Sequence, residues 1–516
     1  MAGPGNDPLP TILPPGLLAG IGASALLVGV VMTGVTGLRT LATPKSPAQV
    51  SLGPGPAQAS QEPRPSEPAP ESPPDALPIS TDEPRPPIAP PSSLPAELQE
   101  KVNAAVARGV EHLQKTQAAD GLWRGSPPAA LSALCGLTLL ECGVAPNDEQ
   151  IAKAARKVRA AVADQSAGQH TYTASLMLLF LDRLGDPGDA QHIRTLALRL
   201  VAGQNQDGGW TYTLPRLSSD NEDRLMQALA MTRPSGLEKI IRRPANPGVP
   251  GKITKEGPGG GGLDRLTGGK PPKEDEVQKA LDDLPDGFRD LPAFRDELAR
   301  PGAQPGKKGG GKDRKGGKGP LPMVRGNITS DNSNTQFAAL ALWASLRHGI
   351  PMERALQRMG DRFRKSQRAN GSWGYHAAQA GWGSEAMTGV GLLGLAISTG
   401  LAEEKKPAAR DPDIDRAFVA LAKNIRSDGP SNLYFWWTVE RVAMLYSLKE
   451  IEDKDWYRLA CEMLVIRQQK DGGWAMGGYP GANGTVDTCF ALLILKRVNL
   501  APELTTALEG RLITGK

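Results

Sequence analysis

The sequence predicts an all-α protein whose folded part is an (α/α)6 toroid of twelve helices. Three observations predict it. Twelve segments carry apolar residues at three- and four-residue spacing, separated by Gly, Pro, Asn or Asp. They alternate between charged members with one apolar stripe and members apolar almost all round, the patterns of outer and buried helices. No stretch shows the convincing alternation of a strand. Six outer–inner hairpins closed into a ring satisfy all three.

In chain order, residues 1–15 form a tail and Gly16–Leu38 an uncharged apolar run. As a helix that run would be about 34 Å long, enough to span a bilayer. A cleaved signal peptide is the competing reading, but no Lys or Arg precedes the run and no clear A-x-A site follows, so a retained single-pass anchor is expected. Arg39 and Lys45 follow the helix while only Asp7 precedes it, which points to a cytoplasmic body. Residues 39–95 are proline-rich (EPRPSEPAPESPPD) and read as an extended, disordered tether.

The toroid's first part covers 96–213, with VNAAVARGVEHLQKTQ, IAKAARKVRAAVA and IRTLALRLVAGQ as outer helices and ALSALCGLTLLEC and YTASLMLLFLDRL as inner ones. A Gly/Pro/Lys-rich insertion, 214–330, interrupts it, with a short helix feasible around Glu276–Leu281 and a basic run from Lys307 to Lys318. The second part, 331–500, supplies seven further helices, from TQFAALALWASLRHG to VDTCFALLILKR, and 501–516 reads as a tail.

The formal charge of +5 comes from 60 basic against 55 acidic residues, so no global field argues for nucleic acid and none is expected as a partner. The basic run reads first as a solvated insertion. Of four cysteines, Cys135 and Cys142 share one helix about 10 Å apart along its axis, too far to bridge. No disulfide framework is visible.

One spacing recurs four times: Gln117…Asp120-Gly121…Trp123, Gln204…Asp207-Gly208…Trp210, Gln367…Asn370-Gly371…Trp373 and Gln468…Asp471-Gly472…Trp474. Leu113, Leu200, Phe363 and Leu464 each precede the Gln by four, and each copy ends an outer helix. Gln can bond freed carbonyls, Asp or Asn with Gly supplies a left-handed stop, and Trp fills the wedge between neighbours. These eight Gln and Trp residues are read as structural joints, since four identical copies are architecture rather than chemistry.

With Arg108-Gly109 before its first copy, this pattern resembles the QW repeat of the squalene-hopene cyclase and protein prenyltransferase superfamily. The resemblance spans about Ala96 to Lys496 and implies an α/α toroid and an isoprenoid-type ligand. It also sets two tests for catalysis. The cyclase branch uses a D-x-D-D acid cluster, which this sequence lacks; Asp411-Pro-Asp413-Ile-Asp415 starts an outer helix, where acids favour the dipole. The transferase branch uses zinc held by Asp, Cys and His. Asp487-Thr488-Cys489 resembles its D-x-C element, but no His follows His376, so His376, or His170, must stand in for the third ligand. A capping Asp beside a buried Cys is the plainer reading.

Polar and aromatic residues collect at the predicted inner-helix starts: Asp331, Asn334, Glu385, Tyr434, Trp437, Glu440 and Arg441 are the candidate ligand-binding residues. Capping and buried ion pairs are the alternative role for them. Catalytic residues remain unknown: no Ser-His-Asp set, phosphate loop or C-x-x-C pair is present. The resulting expectation is a membrane-anchored toroid that binds an apolar small molecule or a protein partner. Its alternative is a zinc-dependent prenyl-transfer-like or lipid-modifying enzyme. Beyond that candidate zinc, no cofactor is expected.

Overall fold

A computed structural model describes residues 94–164, 169–233, 272–285, 287–294, 330–377, 384–402 and 411–512. The expected anchor Gly16–Leu38, the tether up to residue 93 and the basic run Lys307–Lys318 lie outside the described residues. Among the described residues no helix is long and apolar enough to cross a membrane.

The described chain is all-α, with fifteen α-helices. Six form an inner layer: α2 (Pro128–Glu141), α4 (Thr171–Leu184), α8 (Asn332–Ser345), α10 (Glu385–Gly400), α12 (Leu433–Leu445) and α14 (Gly484–Lys496). Each packs on the next, and α14 returns to α2, so the inner layer closes on itself. Every residue of α8 is buried, the outcome of a helix with no polar stripe.

Six outer helices lie against this ring: α1 (Ala96–Thr116), α3 (Glu149–Ala163), α5 (Ala190–Ala202), α9 (Glu353–Ser366), α11 (Pro412–Ala422) and α13 (Trp456–Arg467). Five of them bury one stripe, whereas α5 is buried all round from Leu196 to Ala202. In α1 the stripe is Val102, Ala105, Gly109 and Leu113, at the three- and four-residue spacing of one face.

Three helices were not assigned to the ring by periodicity. Residues Ser219–Met231 form α6, capped by Ser218, and Glu274–Asp282 form α7; the two pack together within the stretch read as low complexity. Buried Leu225 and Leu229 of α6, Leu281 of α7 and Leu284 just after it supply the apolar surface that composition alone obscured. The supposed tail contains α15 (Pro502–Leu512), which lies on α10 and α12 with Leu504 and Leu508 buried.

The four joints share one geometry. The indole N–H of Trp123, Trp210, Trp373 and Trp474 donates to the carbonyl of Leu113, Leu200, Phe363 and Leu464, at 2.8, 2.6, 2.9 and 2.9 Å. Those carbonyls open the last turn of each outer helix, where backbone acceptors lack an intrahelical donor. The Gln amide donates twice, once to the Gly carbonyl of its own turn and once into the next outer helix. Its second acceptors are Gln150 O, Ala355 O, Asp413 O and Ala105 O. The last of these joins α13 back to α1. At that seam Gly472 has φ +90°, and a Cβ there would lie 2.5 Å from the Arg108 carbonyl oxygen, so both backbone shape and space call for Gly.

Candidate functional site

The inner helices begin at one end of the ring, and short bridges knit the joint loops around the start of α8. Asp331 pairs with Trp210 on one side and His376 on the other, while His170 pairs with Thr213. Asp331 caps α8: its carboxylate accepts from the Asn334 amide at 2.6 Å and the Asn334 side chain at 2.7 Å. Burial raises its pKa, opposed by those two bonds and by the nearby His376 and Arg362.

This knitting gathers tyrosines. Tyr212 and Tyr375 join hydroxyl to hydroxyl at 2.7 Å. Tyr172 shares a hydrogen bond with Ser333, whose hydroxyl also accepts from Tyr434 at 2.9 Å. Gln336 donates to Tyr434, and Arg441 Nη2 donates to Gln336 Oε1 at 2.6 Å. The Arg441 guanidinium lies 3.7 Å above the Trp437 ring, and burial lowers its pKa to about 10. A fifth tyrosine, Tyr479, donates to Asp487 at 2.6 Å and stacks near Tyr434, with ring centroids 5.7 Å apart. Five of the chain's seven tyrosines therefore meet at this mouth.

Below the tyrosines, aromatic rings from four inner helices fill the bore. Tyr172 contacts Phe337 at 4.8 Å, Phe337 contacts Trp437 at 5.3 Å, and Trp437 stacks on Phe490 at 4.4 Å. The run crosses the ring from α4 through α8 and α12 to α14. A void of about 10 Å³ beside Arg441, Leu340 and Asn499 has room for about one water-sized sphere. A larger groove of about 410 Å³ lies elsewhere, along α9 and the second joint, beside Arg358, Arg362 and Lys365.

Of the expected ligand-binding residues, Asp331, Asn334, Tyr434, Trp437 and Arg441 come together here. Glu385, exposed at the start of α10, shares none of these hydrogen bonds among the described residues. Glu440 shares none of the contacts above, and Arg497 and Val498, beyond the far end of α14, are among its neighbours. Helical phase explains the difference, because adjacent residues diverge by about 100° around the axis.

The expected zinc set is not assembled. Asp487 is occupied by the amides of Met476 and Gly477, at 2.7 and 2.9 Å, besides Tyr479. His376 Nδ1 faces Ser330 O at 3.2 Å, and Cys489 Sγ lies 3.7 Å from Cys135 Sγ. Among the described residues no group of three His, Cys, Asp or Glu side chains is placed to hold a metal. Asp411 caps α11 by accepting from Asp413 N at 3.0 Å and pairs with Arg364 at 2.9 Å, away from the bore.

Sequence reasoning missed Tyr172, Tyr212, Tyr375, Tyr479, Phe337 and Phe490. A signal existed for two of them, since Tyr212 and Tyr375 each follow a joint Trp by two residues.

Glu440 is fully buried, and neither carboxyl oxygen has a hydrogen-bond partner of good geometry. Burial raises its pKa well above the usual carboxylate range, despite Arg441 and Arg497 nearby. A raised folded pKa gives stability that is complete below the unfolded pKa and is lost as pH rises through the folded one. Glu440→Gln is therefore expected to gain stability over the native chain as pH rises above about 4.3, by up to about 1.4 kcal/mol per pH unit until the folded pKa is reached. Thermal unfolding curves compared across that range check this; a difference independent of pH would refute it.

No family model matches the chain, and no curated protein matches it. Among solved structures it is similar to an aspartate-to-alanine variant of the type II terpene cyclase MstE from Scytonema, in complex with merosterolic acid A. That match has 13% identity, a TM-score of 0.41, and covers 80% of this chain and 100% of the other. An apo tyrosine-to-phenylalanine variant of MstE gives 12% identity, a TM-score of 0.40 and the same coverage. A protein from Actinoplanes gives 14% identity and a TM-score of 0.25, covering 78% of this chain and 99% of that one.

Proposed function

We propose that this chain is a binding protein in which an (α/α)6 toroid, anchored to a membrane through Gly16–Leu38 and a proline-rich tether, recognises a partner protein at its tyrosine-rich mouth. The observation that carries this reading is the filled bore. A chamber for an extended apolar substrate needs open space along the axis, and here Phe337, Trp437 and Phe490 occupy it in mutual contact. Recognition then falls to the mouth. Tyrosine suits that role because it offers a large apolar ring and a hydroxyl at low entropic cost. Tyr212 is 45% exposed, and Tyr375 beside it is half-buried.

Full-length protein in detergent micelles is expected neither to convert squalene or geranylgeranyl diphosphate nor to show a saturable change in tryptophan fluorescence with either. A cyclised or transferred product, or a saturable shift abolished by Trp437→Phe, would overturn the reading.

A further inference from the structure

Cys135 on α2 and Cys489 on α14 lie 354 residues apart in sequence, yet their sulfurs are 3.7 Å apart. Both are free thiols and both are buried. Their helices are the first and last of the inner ring, the pair whose contact closes it. On the outside of the same seam the last joint holds α13 to α1 through Gln468 and Ala105, and Arg108 Nε donates to Gln468 Oε1 at 3.0 Å. Everything holding the seam so far is non-covalent.

We infer that Cys135 and Cys489 are an oxidisable dithiol whose disulfide closes the toroid covalently. A disulfide needs sulfurs about 2.05 Å apart, so the present gap must shrink by about 1.7 Å, within reach of side-chain rotation and a small helix adjustment. The oxidant is a small peroxide. One sulfur, as thiolate, attacks a peroxide oxygen and becomes a sulfenic acid, while the departing hydroxide takes up the thiol proton as water. The second sulfur displaces the sulfenyl hydroxyl, which leaves with that thiol's proton as a second water. Two thiols and one hydrogen peroxide thus give one disulfide and two waters. Because the loop enclosed is long, the closed form restricts the unfolded chain strongly.

Burial protects the pair in the closed fold, so the reaction is run a few degrees below the unfolding midpoint, where local opening admits peroxide. Full-length protein is treated with hydrogen peroxide, its remaining thiols are alkylated, and the digest is mapped by mass. A peptide pair linked through Cys135 and Cys489 is expected, with an unfolding midpoint raised by about 5 °C and restored by dithiothreitol. Cys135→Ala and Cys489→Ala should each abolish both the link and the shift, while Cys142→Ser at the partly exposed thiol should leave them. Helical content in the reduced state separates a folding defect from loss of the link. Linkage through Cys142 or Cys461, sulfinic acids without a link, or a lowered midpoint would each overturn the inference.

Discussion

Replacing Trp474 with alanine will open the ring at its seam and lower stability by about 4 kcal/mol, the middle of the range for a buried Trp. The indole is fully buried. Two side-chain contacts are lost together, and a backbone bond that alanine keeps loses the packing around it. Its ring fills the wedge against Gly109 of α1, where an added Cβ would sit 2.8 Å from it. Its N–H satisfies Leu464 O, one of the carbonyls left open at the end of α13. Its backbone position is tied to Thr488 Oγ1 at 3.0 Å, which couples the joint to α14. Trp474→Phe keeps most of the apolar volume and gives up the indole bond, so its cost should be nearer about 2 kcal/mol. Denaturant titration of both variants measures the difference. A midpoint for Trp474→Ala indistinguishable from the native one would show that the seam is held elsewhere.

Arg362→Ala should cost about 3 kcal/mol, because it strands buried acceptors rather than merely removing an ion pair. The guanidinium is almost fully buried and donates to Asn332, to Ser330 O at 3.2 Å and to Asp207 at 3.2 Å. Ser330 and Asn332 have no exposure of their own, so solvent cannot replace the lost donor without rearrangement. Asp207 belongs to the second joint and is held below the usual carboxylate range by Arg362, Ser330 and Gly209 against the effect of burial. Arg362 thus links the joint to the start of α8 and hence to the mouth. Arg362→Lys retains charge but not the planar fork and should recover only part of the loss. If the alanine variant unfolds at the native midpoint, Arg362 is a surface-type pair despite its burial.

The helices and joints were legible because their signals are local. Apolar spacing repeats within each helix, and every joint fits within seven residues, from Gln to Trp. The mouth was legible only in part: Asp331, Asn334, Tyr434, Trp437 and Arg441 stand at inner-helix starts, whereas Tyr172, Tyr212, Tyr375 and Tyr479 come from other loops and helix starts that only ring geometry brings together. Asp487 and Cys489 show where spacing alone leaves two readings open. A D-x-C spacing at a helix start looks the same whether the carboxylate faces a metal or receives Met476 N, Gly477 N and Tyr479. Glu440 belongs to the same inner-helix start as Trp437 and Arg441 but shares its face with Trp436, and that phase sets it beside Arg497 and Val498. Helix α15 escaped because its packing rests on Leu504 and Leu508, too few apolar positions to establish a period.

The bond from Gln468 to Ala105 also orders events during synthesis. A chain emerging from its N-terminus exposes the seam faces of α1 and α2 before their partners around Leu464 to Cys489 are made, since the paired residues lie 354 to 363 positions apart. Until then those faces stay unpaired, so the ring cannot close progressively; it closes once, late, through contacts of the highest sequence separation in the fold. Such late non-local closure is slow and leaves apolar surface open in the interval. The newborn protein must therefore keep the seam faces of α1 and α2 from other partners until Gln468 reaches Ala105.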